Sequence, residues 1–412
     1  EEGVLVITGG PGTGKTTIIR CILSLLKEDN DILLCAPTGR AAKRMSEATG
    51  EEAKTIHRLL EYGGDSGAFA RSEDYPLECD CLIVDEMSMV DVTLMRGLMR
   101  AVLPGTRVIL VGDADQLPSV GAGNVLKDIL DSDVVPSIRL TDIFRQDESS
   151  MIVLNAHRIN HGEMPVLRSR DTDFFFTRKA LQSEAAQAIC DLLRSRLPKY
   201  LGFPREQWQA QATRCIQVLT PTKKGDCGAA NLNRLLQETL NPERPGVDSL
   251  LHGETEYRVG DKVIQTKNDY QIEYTRQTPF GPEEGQGVFN GDVGYIERID
   301  PAEHMMTVLF DDDRVVTYQK QQLDALDLAY SLTVHKSQGS EFPVVVMPVV
   351  GGPPMLMARN LLYTALTRAR QLVVLVGREE VIQQMVENDH VAKRYTTLKD
   401  RLLAAAQLGP EA

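Results

Sequence analysis

Hydrophobic residues in the N-terminal part of the chain form short continuous runs that alternate with stretches of helical spacing. Residues 4–8 (VLVIT) predict a buried strand, and residues 16–29 place apolar side chains at the spacing of a helix with one packed face. A second helical pattern covers 91–103, and further apolar runs predict strands at 32–38, 81–86, 107–113 and 137–144. Continuous apolar strands separated by helices indicate a parallel sheet covered on both faces, the arrangement of an α/β domain.

The same alternation returns in the C-terminal part, so we predict a second α/β unit. The pattern predicts strands at 215–222, 344–350 and 372–377, and helices near 228–240, 356–369 and 379–388.

Between the two halves of that unit, residues 250–324 form short alternating segments joined by Gly, Asp and Pro, which is typical of a small antiparallel barrel. Within it, residues 271–287 are polar and rich in turn residues, so we expect a mobile loop there. A shorter insertion at 62–78 interrupts the first unit and is expected to be a hairpin.

Composition places the 412 residues, 42% of them apolar and 25% charged, among soluble proteins of two or three domains. The longest apolar stretch, 342–357, contains four prolines and two glycines, and no charged-then-apolar signal opens the chain. Membrane insertion and secretion are therefore not expected. Seven cysteines without a C-x-x-C pair predict neither a disulfide framework nor a zinc site, and fit a reducing cytoplasm. The net charge of −13 argues against a broad nucleic-acid surface but leaves room for a narrow positive groove.

A glycine-rich segment, GGPGTGKT at 9–16, matches G-x-x-x-x-G-K-[ST] and stands between a predicted strand and a predicted helix. Glycines let backbone N–H groups turn toward phosphates, and the helix N-terminus adds the positive end of its dipole. We therefore predict an ATP site in which Lys15 reaches the β- and γ-phosphates and Thr16 holds Mg²⁺. The predicted nucleotide contacts in this segment are Gly10, Pro11, Gly12, Thr13, Gly14, Lys15, Thr16 and Thr17.

Two further strand ends carry polar residues suited to hydrolysis. Asp85 and Glu86 end one apolar run; Asp85 would hold Mg²⁺ and Glu86 would position and deprotonate the attacking water. Gln116 lies just beyond another strand, where an amide can bond the γ-phosphate or the water. Taken alone, the acidic pair could be a helix cap, and a polar residue at a strand end is common.

These segments, with others in the same order, resemble the motifs of superfamily 1 helicases. The set is similar to the RecD-like branch, and most similar to bacterial RecD-type helicases that act outside the RecBCD complex. The motifs are GGPGTGKT (9–16), CAPTGRAA (35–42), TIHRLL (55–60), IVDEMSMV (83–90), LVGDADQLP (110–118), IFRQ (143–146), LTVHKSQGSEF (332–342) and YTALTRAR (363–370).

The resemblance implies an α/β fold of two RecA-like P-loop domains with ATP and Mg²⁺ in the cleft between them. The first would carry a small hairpin insertion, the pin, and the second an SH3-like β-barrel insertion. We expect the first domain at 1–170 with its pin at 63–78, the second at 171–249 and 325–412, and the barrel at 250–324. Family members also have residues before the first strand, some of which contact adenine, so we expect this chain to be a fragment.

By motif, Arg145 and Arg368 would contact the γ-phosphate, Arg368 as a finger from the second domain, and Gly339 and Glu341 would contact phosphate and ribose. A guanidinium offers charge in a fixed donor geometry, which suits a transferring phosphoryl group. Either arginine in isolation would be read as a surface salt bridge.

A helicase also needs contacts along one nucleic-acid strand, and hydroxyls, amides and a few basic groups supply them without reading sequence. Each such residue is elsewhere often a cap or turn residue, and the histidines could be structural. For Phe69 and Tyr75 in the pin, stacking on a terminal base pair and local packing remain equal alternatives. Lys267 and Asn268 are further loop candidates. The strand contacts implied by the resemblance are Thr38, Arg40, His57, Thr220, Pro221, Lys223, Asn290, Thr333, His335, Ser337 and Asn360.

The leading hypothesis is an ATP-dependent DNA helicase that moves 5′ to 3′ on single-stranded DNA, the polarity coming from the resemblance. A translocase that displaces proteins without separating strands is the alternative. A small-molecule kinase would leave Gln116, Arg145 and the second α/β unit unexplained. The expected partners are single-stranded DNA, duplex junctions and other DNA repair proteins. A monomer would suffice, because one chain contains both halves of the ATP site.

Overall fold

The computed structural model describes residues 3–63, 67–141, 150–168, 172–278, 281–390 and 394–408. Its N-terminal part is an α/β unit, as the apolar runs predict. The strands are β1 Val4–Gly9, β2 Ile32–Ala36, β3 Ala53–Thr55, β4 Tyr62–Gly63, β5 Ala68–Phe69, β6 Cys81–Val84, β7 Arg107–Gly112 and β8 Ser137–Leu140. The helices are α1 Lys15–Leu26, α2 Gly39–Thr49, α3 Ile56–Leu59, α4 Val92–Ala101, α5 Val125–Ser132 and α6 Met151–Asn160.

Six of these strands form a parallel sheet in the order β3-β2-β6-β7-β1-β8, while β4 and β5 pair as the expected hairpin. Helix α1 packs its Ile19 and Leu23 on one face of the sheet, and α4 and α5 pack Leu98 and Ile129 on the other. Helix α2 begins where the Thr38 hydroxyl accepts a hydrogen bond from the Ala41 N–H, and it ends at a left-handed Gly50. The order puts β1, β6 and β7 in the middle, so their carboxyl ends meet at one edge.

The second unit is built on a five-stranded parallel sheet in the order β20-β10-β21-β22-β9. Its strands are β9 Phe174–Arg178, β10 Ile216–Thr220, β20 Ser331–Thr333, β21 Phe342–Val349 and β22 Ala369–Gly377. Strand β9 was not predicted. The α-helices from here to the end of the described chain are α7 Gln182–Asp191, α8 Leu197–Tyr200, α9 Trp208–Cys215, α10 Ala229–Leu240, α11 Arg359–Thr367, α12 Glu379–Glu387 and α13 Leu398–Leu408. Residues Leu192–Arg196 form a π-helical turn, and 3₁₀ turns cover Met87–Met89, Arg205–Gln207, Leu323–Ala325, His335–Ser337 and Pro354–Leu356.

Between β10 and β20 lies an antiparallel insertion. The hairpin β11 Ser249–His252 and β12 Thr255–Arg258 precedes a seven-stranded sheet ordered β15-β14-β18-β17-β16-β13-β19. Because β15 and β19 are the edge strands of this order, closure into a barrel stays a prediction. The strands of the sheet are β13 Lys262–Gln265, β14 Asp269–Thr278, β15 Gly281–Val288, β16 Val293–Asp300, β17 Met305–Phe310, β18 Arg314–Tyr318 and β19 Leu326–Leu328.

The expectation of a mobile loop at 271–287 was wrong. The described residues on either side, in strands β14 and β15, pair antiparallel from Asp269–Val288 to Thr278–Gly281. Ile272 and Tyr274 alternate inward from β14, and a Cβ on Gly285 would lie only 2.5 Å from the Tyr274 hydroxyl. Gly285 thus leaves space for the Tyr274 ring. The composition of the segment is typical of turns, although the segment pairs as strands.

Two helices, α6 and α13, pack against a different α/β unit from the one that precedes them in the sequence. Helix α6 lies within the range predicted for the first domain, but it shares a core with α11 of the second sheet. Helix α13 follows the second sheet but packs against α5 of the first. The predicted domain boundaries stay predictions. Among the described residues, none of the helices combines the length and apolarity that a membrane crossing requires.

Candidate functional site

Two glycines of the phosphate loop between β1 and α1 adopt left-handed backbone conformations. Gly12 and Gly14 have φ angles of 73° and 83°, which glycine adopts without a steric penalty. The Lys15 ammonium donates to the carbonyls of Gly9 and Gly10 at 2.7 and 2.9 Å, and the Thr13 hydroxyl donates to Gly10 at 2.9 Å. Pro11 is half-buried, and Thr16 and Thr17 are exposed in the first turn of α1. The loop therefore presents a lysine and an open helix N-terminus to the cleft.

The acidic pair lies at the end of β6. Glu86 has a φ of 54°, a left-handed conformation that is uncommon for this residue type and is often found at functional sites. The Asp85 carboxylate accepts a hydrogen bond from the Glu86 N–H at 2.7 Å. Burial raises the pKa of Asp85, and the neighbouring Glu86 charge adds to the rise. Burial also acts to raise the pKa of Glu86, but Arg44 and Arg368 outweigh it and lower that pKa.

Sequence reasoning missed Arg44, which connects the two halves of the cleft. Its guanidinium bonds Glu86 at 2.5 Å and Glu341, from the second unit, at 2.7 Å. A signal was present, because Arg44 lies four residues after the predicted Arg40 and so shares its face of α2.

Arg368 enters the cleft from the end of α11 and meets the groups predicted to act in hydrolysis. Its guanidinium donates to the Gln116 amide oxygen at 2.8 Å and to the Ser340 carbonyl at 3.2 Å, and lies 3.9 Å from Glu86. The residue is only 3% exposed. The structure thus brings Arg368, Gln116 and Glu86 together across the cleft. Arg145 lies outside the described residues.

Asp113 and Tyr363 were also missed, although both stand within the quoted motifs. The Asp113 carboxylate accepts hydrogen bonds from the Tyr363 hydroxyl at 2.9 Å and from the Gln116 amide at 3.0 Å. Burial raises the pKa of Asp113, and Lys15 opposes that rise. Tyr363 therefore ties α11 to the end of β7, next to the phosphate loop.

Gly339 and Glu341 occupy the second unit's side of the cleft. A Cβ on Gly339 would lie 2.5 Å from the Thr38 hydroxyl, so only glycine allows this approach to the start of α2. Glu341 also pairs with Arg370 at 2.7 Å. Burial acts to raise the pKa of Glu341, but Arg44 and Arg370 outweigh it and lower that pKa.

The donors at the predicted metal position fit Mg²⁺ that arrives with a nucleotide. The described residues contain no group of three or more His, Cys, Asp or Glu side chains able to hold an ion by themselves. Asp85 and Thr16 instead offer a carboxylate and a hydroxyl. Mg²⁺ is commonly bound by one or two carboxylates together with substrate phosphates.

A groove of about 620 Å³ runs beside the cleft. Five of the predicted strand contacts line it, namely Thr38, Arg40, His57, Asn290 and His335. Its walls come from both α/β units and from the antiparallel insertion. Burial lowers the pKa of His57 and of His335, with Arg394 adding to the effect at His335. Groove residues that were not predicted include Asp91, Ser119, Val120, Lys336 and Gln338.

The other six predicted contacts do not line this groove. The Thr220 and Ser337 hydroxyls are buried and donate to the carbonyls of Cys227 and Val334 at 2.6 and 2.7 Å. The Thr333 hydroxyl accepts from the Lys336 N–H at 3.4 Å, as a cap. These three hydroxyls stabilise the backbone near the groove through their hydrogen bonds. Their contacts with a nucleic-acid strand stay predictions. Of the remaining three, Pro221 is buried, Lys223 is exposed and Asn360 is half-buried.

The two aromatic residues of the predicted pin, Phe69 and Tyr75, lie in different environments. The Phe69 ring packs 5.2 Å from the Tyr62 ring and lies 2.6 Å from where a Cβ on Gly97 would be. This contact with α4 favours local packing for Phe69. Tyr75 is 51% exposed, with the Arg71 guanidinium 3.8 Å from its ring centre.

Three family models match successive parts of the chain. They describe an AAA domain over residues 1–122, an ATP-dependent RecD-like DNA helicase SH3 domain over 232–310, and a UvrD-like helicase C-terminal domain over 328–376. Their order is that of the two α/β units and the insertion.

Curated relatives cover nearly all of the chain. It is 38% identical over 402 residues to the ATP-dependent RecD2 DNA helicase of Deinococcus radiodurans, covering 97% of this chain and 50% of that protein. It is 32% identical over 436 residues to the RecBCD enzyme subunit RecD of Mycolicibacterium smegmatis, covering 98% of this chain and 73% of that protein. The chain belongs to the RecD-like family of superfamily 1 helicases. It spans only half the length of the Deinococcus relative.

Solved structures of more distant helicases share the fold of this RecD-like chain. A structure of two coordinating Pif1 helicases at forked double-stranded DNA covers 99% of this chain, with 94% of its own chain aligned, at 19% identity and a TM-score of 0.53. Bacteroides Pif1 bound to single-stranded DNA covers 99%, with 95% of its own chain aligned, at 18% identity and a TM-score of 0.52.

Proposed function

We propose that the chain is the motor region of an ATP-dependent DNA helicase that moves 5′ to 3′ on single-stranded DNA and separates duplex strands. The observation that carries the proposal is the contact of Arg368 with Gln116, close to Glu86, across a cleft that also contains a phosphate loop. A cleft closed by a guanidinium from the opposite unit suits hydrolysis that is coupled to domain movement.

In this proposal each residue of the cleft has one task. Bound ATP supplies the free energy, and Mg²⁺ neutralises charge on its phosphates. Lys15 and the loop amides hold the phosphates, Thr16 and Asp85 hold the metal ion, and Glu86 positions the attacking water. Gln116, Arg145 and Arg368 stabilise the charge of the transferring phosphoryl group, and Gly339 and Glu341 complete the second wall.

The groove is the proposed path of the strand, and α2 connects it to the cleft. Thr38 and Arg40 at the start of α2 line the groove, while Arg44 one turn later pairs with Glu86. Arg40 also bonds Ser340 of the second unit at 2.9 Å and Asp311 of the insertion at 2.8 Å. Opening of the cleft would therefore change the grip of the groove, which is what translocation requires.

The proposed partners are single-stranded DNA, duplex junctions and, from the family alone, other DNA repair proteins. One chain contains both halves of the cleft, which supports action as a monomer. A reducing cytoplasm is proposed because all seven cysteines lie within the described residues and none of them is paired.

Two duplexes that differ only in the polarity of a single-stranded tail test the function. We expect ATP-dependent unwinding of the 5′-tailed duplex and none of the 3′-tailed one, measured by separation of a fluorophore and quencher. Opening of only the 3′-tailed duplex would refute the polarity. If neither opens while single strands still stimulate hydrolysis, the proposed strand separation by this chain fails.

That last outcome would favour the second candidate, a translocase that displaces proteins. The observation in its favour is the small size of the pin, whose strands β4 and β5 have two residues each.

Replacing residues 63–68 by two glycines leaves Tyr62 and Phe69 in place. We expect unwinding to fall to background while strand-stimulated ATPase activity stays at the wild-type level. Undiminished unwinding would show that the pin does not separate strands.

A further inference from the structure

Helix α6 lies where the second unit faces the phosphate loop. Ile152, Ala156 and Ile159 pack into the core that α6 shares with α11. On another face of the helix, the Asn160 amide donates to the Asp115 carboxylate of the first unit at 2.8 Å. The helix is thus fixed to both halves of the cleft, although none of the helicase motifs quoted above includes it.

His157, on the same helix, points the edge of its ring at the phosphate loop. Its Nε2 and Cε1 atoms lie 3.9 and 4.0 Å from the position that a Cβ on Gly10 would take, and the Tyr363 hydroxyl lies 2.9 Å from the same position. The side of Gly10 that faces the second unit is therefore covered by two polar groups.

The Tyr363 hydroxyl and the His157 ring differ in their hydrogen bonding. The Tyr363 hydroxyl donates to Asp113 at 2.9 Å, whereas Nε2 of His157 is buried and has no hydrogen-bond partner among the described residues. A buried polar atom without a partner is destabilising, and such an atom in a native fold calls for a ligand or a water.

Neighbouring groups do not satisfy this nitrogen. His161 stacks on His157 with ring centres 6.4 Å apart, and its Nδ1 is 2.8 Å from the His157 carbonyl. Burial and His161 lower the pKa of His157, against the opposing charges of Asp113 and Asp115. A neutral ring protonated at Nε2 has one hydrogen bond to donate toward the loop.

We propose that His157 donates this hydrogen bond to the terminal phosphate of bound ATP, so that it distinguishes the triphosphate from the diphosphate. The assignment rests on the proposed function and adds a residue to it. The position follows from Lys15, whose ammonium bonds the Gly9 and Gly10 carbonyls and which in this motif reaches the β- and γ-phosphates. His157 covers the same end of the loop from the opposite side of the cleft.

The test is the affinity for a non-hydrolysable ATP analogue and for ADP, each measured with Mg²⁺ by isothermal titration calorimetry. For His157→Ala we expect the analogue to bind about ten- to hundredfold more weakly, because a hydrogen bond to a charged group is lost, and ADP to bind as in the wild type. His157→Gln should restore most of the affinity, since its amide N–H extends about as far as Nε2. The matched control is His161→Gln, on the neighbouring ring, which should change neither affinity.

Equal losses for both nucleotides would overturn the assignment and show that His157 only shapes the loop. Unchanged affinity for both would overturn it as well, leaving water as the partner of Nε2. If the wild-type chain binds neither nucleotide, the proposed function itself fails. Should His157→Ala not fold, His157→Asn provides the same comparison with His157→Gln, because its shorter amide does not extend as far toward Gly10.

Discussion

Replacing Lys15 with alanine should remove almost all ATP turnover, with kcat lowered by up to ~10³-fold. The ammonium is held inside the phosphate loop by the Gly9 and Gly10 carbonyls, where we predict that it neutralises the phosphates. Without it, the loop keeps its amides but loses its positive charge. Phosphate release with saturating single-stranded DNA measures the loss.

Strand binding should survive in Lys15→Ala, because the groove is lined by other residues. Fluorescence anisotropy with a labelled oligonucleotide checks this. Lys27→Ala is the matched control: Lys27 follows the last turn of the same helix, is exposed and pairs with Glu51. A kcat of the Lys15 variant within tenfold of the wild type would refute the assigned phosphate site.

Arg368→Ala should lower kcat by ~10³–10⁵-fold, the range found for arginine fingers, and change nucleotide affinity far less. The reason is position: the guanidinium comes from the second unit, contacts Gln116 and approaches Glu86, the two residues predicted to act on the attacking water. Single-turnover hydrolysis and nucleotide titration, made on the same preparation, separate the two effects.

Arg370→Ala is the control for Arg368, since Arg370 lies two residues further on, is half exposed and pairs with Glu341 rather than with Glu86 or Gln116. Its kcat should stay far closer to the wild type. An equal loss of affinity and of kcat in Arg368→Ala would mean that the residue holds the nucleotide and does not act as a finger.

The parts of the site that sequence predicted are those whose geometry is local. The phosphate loop needs glycines, a lysine and a helix start within eight residues, and the acidic pair needs only an apolar strand before it. Gln116 was likewise inferred from its place beyond an apolar strand, and the resemblance added Arg368. The structure brings the two together from positions far apart in the chain.

The parts that sequence missed depend on packing between distant segments. Arg44 connects the two units because it pairs with Glu341, and Tyr363 connects them because it bonds Asp113. Local spacing in the sequence predicts neither pair. Strand β9 was missed because it is a short aromatic run whose place is set by pairing with β22. The β14–β15 hairpin was missed because its glycines and prolines indicate a loop, while backbone pairing determines the outcome.

The return of α13 to the first unit has a consequence for how the molecule can move. Leu398 and Leu402 pack into the first unit's core, and Arg394 donates to the Gly121 and Gly123 carbonyls at 2.7 and 2.8 Å. Among the described residues, the second unit is therefore held to the first near both of its ends in the chain, by Asn160 of α6 and by Arg394 together with α13. Two such attachments leave the units less freedom to separate than a single linker would. Because Gly121 lines the groove, a movement of the units at Arg394 would also shift one wall of the proposed strand path.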